Sequence, residues 1–140
     1  MTPIDGGSSL RPTTPSPAPR LLLADDEPHI RRILATLLEA SSYVVDAVED
    51  GSTALERLRG EGAYDLVLLD LLMPGADGLE VLQEVRSLGH RRHLPVIVLT
   101  AKGQDVDRDR AYALGASDFL TKPFSPKKLL NRLEELLGAR

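Results

Sequence analysis

The chain contains no cysteine, so disulfides and thiolate metal sites are excluded. No apolar run approaches the roughly 18 residues that a membrane span requires, and no apolar stretch near the N-terminus suggests a secretory leader. Positive charge is not in surplus: 17 Lys and Arg stand against 21 Asp and Glu, for a net charge of −4. Nonspecific nucleic-acid binding needs a basic surface, so neither direct contact with nucleic acid nor with a membrane is expected. A cytoplasmic location fits these absences. What is present is ordinary for a globular protein: 140 residues, 42% hydrophobic and 27% charged, enough for one domain with one core.

Residues 1–19 differ from the rest. They hold Pro3, Pro12, Pro15, Pro17 and Pro19, a Gly6-Gly7 pair and many Ser and Thr residues. Such a segment buries too little apolar surface to order itself, and it reads as a disordered tail or, alternatively, as a polyproline docking ligand. Residues 20–140 read as the folded domain. There, short apolar runs alternate with helical patterns. The runs are Leu21-Leu22-Leu23-Ala24, Tyr43-Val44-Val45, Leu66-Val67-Leu68-Leu69, Val96-Ile97-Val98-Leu99 and Phe119-Leu120. Continuous apolar character predicts strands covered on both faces.

Between them, Ile30, Ile33, Leu34, Leu37 and Leu38 follow helical spacing. A shorter helix is expected around Ala54, Leu55 and Leu58, a third on Leu79, Leu82 and Val85, and a last one on Leu129, Leu130, Leu133, Leu136 and Leu137. A fourth, between Gln104 and Leu114, has few apolar residues and should be the most loosely packed, with Gly115 ending it. Five β-α repeats imply an α/β fold: a doubly wound, five-stranded parallel sheet with helices on both faces. Ligands bind such sheets beyond the carboxyl ends of the strands.

Those ends carry Asp25, Asp26 and Glu27 after the first strand, Asp70 after the third, Thr100 after the fourth and Lys122 after the fifth. Singly, each has an ordinary explanation. The first acids with Pro28 can start a helix, Asp70 can open a turn, Thr100 can cap a helix, and Lys122 can be a solvated charge. Together they crowd carboxylates at one place. Either some are protonated or a cation neutralises them. Hard oxygen donors without His or Cys point to Mg²⁺ or Ca²⁺. Mg²⁺ typically keeps waters and holds phosphate oxygens, and a carboxylate can serve as a phosphoryl acceptor. His29, His90 and His93 have no metal-ligand company and read as surface residues.

The stretches LLLADDEP (21–28), LVLLDLLMPGADG (66–78), VIVLTA (96–101) and ASDFLTKPF (116–124) resemble the receiver domain of two-component response regulators, over residues 20–138. The resemblance implies a flavodoxin-like strand order 2-1-3-4-5. It also implies Mg²⁺-dependent transfer of a phosphoryl group to Asp70 from a sensor histidine kinase or phosphotransfer protein. Asp26, Asp70 and the backbone carbonyl of Leu72 would bind Mg²⁺ directly, and Asp25 mainly through waters. Thr100 and Lys122 would hold phosphoryl oxygens, with the Lys122–Pro123 bond cis. Thr100 and Phe119 would form a switch. Leu72 and Lys102 would set access of water to the phosphoryl group, leucine slowing its loss.

Output would pass through the face of the fourth helix, fifth strand and fifth helix to a protein partner. Arg108, Asp118 and Arg132 there are similar to the salt-bridge pattern of the winged-helix subclass, which dimerises on this face. Lys128 replaces an acid of that pattern, so a monomer or a weak, phosphorylation-dependent dimer is expected. If the sequence is a whole protein, it is a stand-alone receiver; if a piece, an output domain lies elsewhere. Such a domain catalyses its own phosphorylation and dephosphorylation without turning over an external substrate. Three other readings compete: a receiver-like binding module that is never phosphorylated, a flavodoxin-like electron carrier, and a phosphohydrolase. The acidic loop after the first strand opposes flavin phosphate. Leu72 stands where a phosphohydrolase would need its second acid.

Overall fold

The computed structural model describes residues 18–101, 107–122 and 125–138. The tail up to residue 17, Lys102, the expected helix start at Gln104 and the Lys122–Pro123 bond lie outside them. Along the chain run β1 (Arg20–Ala24), α1 (Pro28–Ala40), β2 (Val44–Val48), α2 (Gly51–Arg59), β3 (Leu66–Asp70) and α3 (Gly78–Ser87). A 3₁₀ turn (Gly89–Arg91) follows, then β4 (Val96–Thr100), α4 (Arg108–Ala113), β5 (Asp118–Thr121) and α5 (Pro126–Leu137). All strands are parallel, in the order β2-β1-β3-β4-β5. Pro19 already belongs to the sheet, because its carbonyl accepts from the Val44 N–H at 3.0 Å.

Strand alternation splits the core in two. Leu22, Val67, Leu69, Val96 and Val98 face α2, α3 and α4, where they meet Leu58, Leu82 and Ala111. Leu21, Leu23, Leu66, Leu68, Ile97 and Leu99 face α1 and α5, where they meet Leu34, Leu38, Leu129 and Leu133. The central strands are therefore apolar at every position because both of their faces are covered. Ile33 departs from the expected stripe of α1: it is 56% exposed. At about 100° per residue it stands roughly 140° around the helix from Leu38, beyond the reach of the sheet.

Helix starts follow local chemistry. Glu27, Asp50, Asp77 and Ser125 accept N–H bonds from His29, Thr53, Glu80 and Lys128, each such cap contributing about 1 kcal/mol. Asp107, before α4, makes no side-chain cap bond, and α4 buries only Ala111. The other end of α4 is held. Gly115 follows with φ of +104°, and its carbonyl accepts from Arg86 Nε at 3.1 Å and Nη2 at 2.7 Å. Arg86 Nη1 also reaches the Leu94 carbonyl at 2.7 Å. No described helix is long and apolar enough to cross a membrane.

Arg91 is a surprise of the amino-terminal edge. It looks like a loop charge beside Arg92, yet it is 6% exposed. Its guanidinium donates to the carbonyls of Leu58, Gly60 and Gly62 at 3.0, 2.9 and 2.5 Å. It also lies 5.3 Å from the centre of the Tyr64 ring, with Arg20 at 5.5 Å from the same ring, and the Tyr64 hydroxyl donates to Asp46. One planar fork thus closes the end of α2 and ties it to the turn before β4. His29, His90 and His93 are exposed, as expected. Arg91→Ala is expected to cost about 2–3 kcal/mol, by leaving buried carbonyls unpaired. Arg91→Lys should recover less than half, since an ammonium lacks the fork; urea unfolding of the three proteins measures both.

Candidate functional site

The sheet ends in the residues that the sequence singles out. Asp25 follows β1 directly and is fully buried. Its Oδ1 accepts the Glu27 N–H at 2.9 Å, its Oδ2 accepts from Lys122 Nζ at 3.0 Å, and its carbonyl accepts from Arg31 Nη1 at 2.8 Å. Asp26 is exposed beside it. Asp70, the last residue of β3, is 7% exposed and lies 3.7 Å from the same Lys122 nitrogen. One carboxylate oxygen each from Asp25, Asp26 and Asp70 falls within 4.8 Å of the others.

Thr100 ends β4 and is fully buried. Its hydroxyl donates to the Ala101 carbonyl at 3.3 Å, and its own carbonyl accepts the Lys122 N–H at 2.7 Å. That main-chain bond fixes the base of Lys122 against β4, so the ammonium reaches across the strand ends. Leu72 sits on the loop after β3 with its side chain 56% exposed. Phe119 is not at the site itself. It is 4% exposed in the α2-α3-α4 core, with the Arg108 guanidinium 5.6 Å from its ring centre. The sequence reading assigned nothing to Arg31 or to the Glu27 N–H. A basic residue in the first turns of a helix looks like any solvated arginine, and a backbone donor has no residue signature.

Three carboxylates against one ammonium leave two negative charges in a largely buried place. The consequence falls on Asp70. Burial pushes its carboxyl up to about 7; Lys122 opposes the shift, while the charges of Asp25 and Asp26 add to it. A divalent cation fits this pocket on charge, and all donors are hard oxygens. Asp26 and Asp70 have ligand capacity to spare. Asp25 has given both oxygens to Glu27 and Lys122, which suits a role through water.

Residues 21–134 match the response regulator receiver domain family. The chain belongs to that family. Receiver domains accept a phosphoryl group on an aspartate from histidine kinases, and they bind Mg²⁺ in an acidic pocket. The chain is 42% identical over 118 residues to the transcriptional regulatory protein ResD of Bacillus subtilis, covering 84% of this chain and 48% of that protein. It is 37% identical over 120 residues to the phosphate regulon transcriptional regulatory protein PhoB of Escherichia coli, covering 86% and 52%. The chain thus spans about half the length of the curated relatives it matches.

Among solved structures, the receiver domain of the sensor histidine kinase PA1611 from Pseudomonas aeruginosa has magnesium coordinated in its active-site cleft. It superposes with a TM-score of 0.80 at 30% identity, covering 87% of this receiver and 99% of that one. The chemotaxis response regulator CheY4 of Vibrio cholerae gives 0.78 at 28%, covering 85% and 98%. The flavodoxin-like strand order of the receiver fold matches the expectation.

The raised Asp70 carboxyl makes stability depend on pH. Between about pH 4 and 7 the folded, metal-free receiver holds a proton that the unfolded chain has released, so stability falls as pH rises through that window. Asp70→Asn removes this cost. The variant is expected to be more stable than wild type by about 2–4 kcal/mol at pH 8, with the gap shrinking toward pH 4. Saturating Mg²⁺ should narrow the gap at pH 8. Urea titrations across pH, with and without Mg²⁺, measure these differences.

Proposed function

We propose that Asp70 is the phosphoacceptor of this receiver. The observation that carries the reading is the meeting of Asp25, Asp26 and Asp70 within 4.8 Å, with Lys122 bonded to the first and close to the last. A carboxylate oxygen of Asp70 forms a bond to phosphorus as the donor's P–N bond breaks, and the leaving imidazole nitrogen keeps that electron pair. The donor is a sensor histidine kinase or a phosphotransfer protein. Asp26, Asp70 and the Leu72 carbonyl would hold Mg²⁺, with Asp25 acting through water, and the ion would supply positive charge against the transferring oxygens. Lys122 exchanges its contact with Asp70 for a phosphoryl oxygen, and the Thr100 hydroxyl, bonded only weakly to Ala101, turns to another. The domain is a signalling element of the cytoplasm rather than an enzyme with external turnover.

Thr100 and Phe119 relay the change. As Thr100 moves, its loop draws inward and favours the inward state of Phe119, which lacks a hydroxyl that would favour solvent. Output passes through α4, β5 and α5 to a protein partner, without direct contact to nucleic acid or membrane. On this face Arg132 donates to Asp118 at 2.7 Å and to Glu135 at 3.0 Å, and the Tyr112 hydroxyl donates to Asp118 at 3.0 Å. Asp118 and Arg132 are thereby paired within one chain. Lys128 has no ion partner among the described residues and lines a groove of about 410 Å³ with Asn131 and Arg132. Both features support a monomer, or a weak dimer formed on phosphorylation.

Incubation with acetyl phosphate and Mg²⁺ should add one phosphoryl mass to the wild type and none to Asp70→Asn by intact mass spectrometry. Loss of Mg²⁺ to chelator should abolish the adduct. Equal labelling of both proteins rejects Asp70 as the acceptor. Leu72→Asn, placing a hydrogen-bonding group where exposed leucine now stands, should shorten the adduct's half-life several-fold; an unchanged or longer half-life rejects the role of Leu72.

A further inference from the structure

Two helices start beside the acceptor loop, residues 71–77, and they start alike. Each has aspartate as its N-cap and glycine as its first residue: Asp50-Gly51 for α2 and Asp77-Gly78 for α3. In each, the glycine N–H donates into the loop. Gly78 N–H reaches the Leu71 carbonyl at 2.8 Å, and Gly51 N–H reaches the Pro74 carbonyl at 3.2 Å. In each, no side chain fits. A Cβ on Gly78 would lie 2.5 Å from the Asp70 carbonyl oxygen and 2.9 Å from the Leu71 Cα. A Cβ on Gly51 would lie 1.7 Å from the Ala76 carbonyl oxygen and 2.6 Å from its carbon. These neighbours are main-chain atoms, so they cannot rotate away as a flexible side chain would.

The two contacts differ in what they explain. Gly78 closes the loop on its own helix. Gly51 comes from α2, which supplies no acceptor, metal ligand or phosphoryl contact in the reading above. Yet its first residue, Gly51, is buried against the loop that begins at the acceptor and carries the Leu72 carbonyl. The first N–H of a helix has no partner within the helix, and here that donor is used on Pro74. The Asp50 carboxylate, bonded to the Thr53 N–H at 2.6 Å, meanwhile satisfies the third N–H of the same turn, leaving that of Gly51 to reach the loop.

We infer that Gly51 is a positioning residue for the phosphoacceptor loop: the backbone-on-backbone seat of α2 sets where Asp70 and the Leu72 carbonyl stand relative to Asp26. This rests on the acceptor reading of Asp70. Groups that orient the residues binding a metal are typically worth about 10–100-fold in metal affinity when lost, and a seat filled by a methyl group must move, since the Cβ would lie 1.7 Å from the Ala76 carbonyl oxygen.

Gly51→Ala should therefore raise the Mg²⁺ concentration for half-maximal binding by about tenfold or more and slow labelling by acetyl phosphate at saturating Mg²⁺. Gly89→Ala is the control, since a Cβ there meets nothing within 4 Å. It should leave both readings unchanged. In the metal-free proteins, amide resonances of Leu71 and Leu72 should shift in Gly51→Ala and stay in place in Gly89→Ala. A folded Gly51→Ala protein with wild-type Mg²⁺ affinity, labelling rate and loop resonances overturns the inference.

Should Gly51→Ala not fold, hydrogen exchange on the wild type decides. By reciprocity of linkage, saturating Mg²⁺ should slow exchange of the Gly51 amide while leaving that of Gly89 unaffected; equal rates with and without Mg²⁺ overturn the inference. A wild type that binds Mg²⁺ but takes no phosphoryl group defeats the acceptor reading alone. A wild type that binds no Mg²⁺ defeats the metal reading, and the metal-free resonances then judge Gly51.

Discussion

Three carboxylates meet one ammonium at the carboxyl edge of a parallel sheet, and the balance among them governs what the domain does. With every carboxylate ionised and no cation the pocket would carry two excess negative charges, and Asp70 lowers that by holding its proton to about pH 7. Such a site is costly to the apo protein and well matched to a divalent ion. On the acceptor reading proposed above, a bound ion would relieve the repulsion and leave Asp70 ionised, the form in which a carboxylate attacks phosphorus. Metal affinity and nucleophile activation are thus two readings of one electrostatic imbalance.

The scaffold tolerates that imbalance because cohesion is placed elsewhere. Leucine and valine on alternating sides of β1, β3 and β4 build two separate cores, and the amino-terminal edge is tied by Arg91, Tyr64 and Arg20. Burial of apolar area is insensitive to pH and to divalent ions. The reactive edge can accordingly carry repulsion that would unfold a domain whose stability depended on it.

Much of this was legible before any coordinates. Continuous apolar runs marked the central strands because both faces of the sheet are covered, and acids, threonine and lysine at four strand ends marked the site because open sheets bind ligands there. The misses have physical causes. Ile33 obeyed the spacing of an amphipathic helix, but it stands at the flank of the apolar stripe, turned away from the sheet. Arg91 and Arg31 looked like solvent charges, since whether a guanidinium finds carbonyls depends on loops distant in sequence. Gly51 advertised nothing, because its contribution is a missing side chain against main-chain atoms of a remote segment.

The attachment of α4 has a mechanical corollary. Its trailing end is clamped through Gly115 to Arg86, which also grips Leu94, while its leading Asp107 has no cap bond. Among the described residues, the trailing end of α4 is thus held more firmly than its first turn. Arg108, in the first turn of that helix, is farthest from the clamp and lies over the Phe119 ring. A tilt about that clamp would therefore displace Arg108, over the aromatic ring, more than any other residue of α4, as at the far arm of a lever.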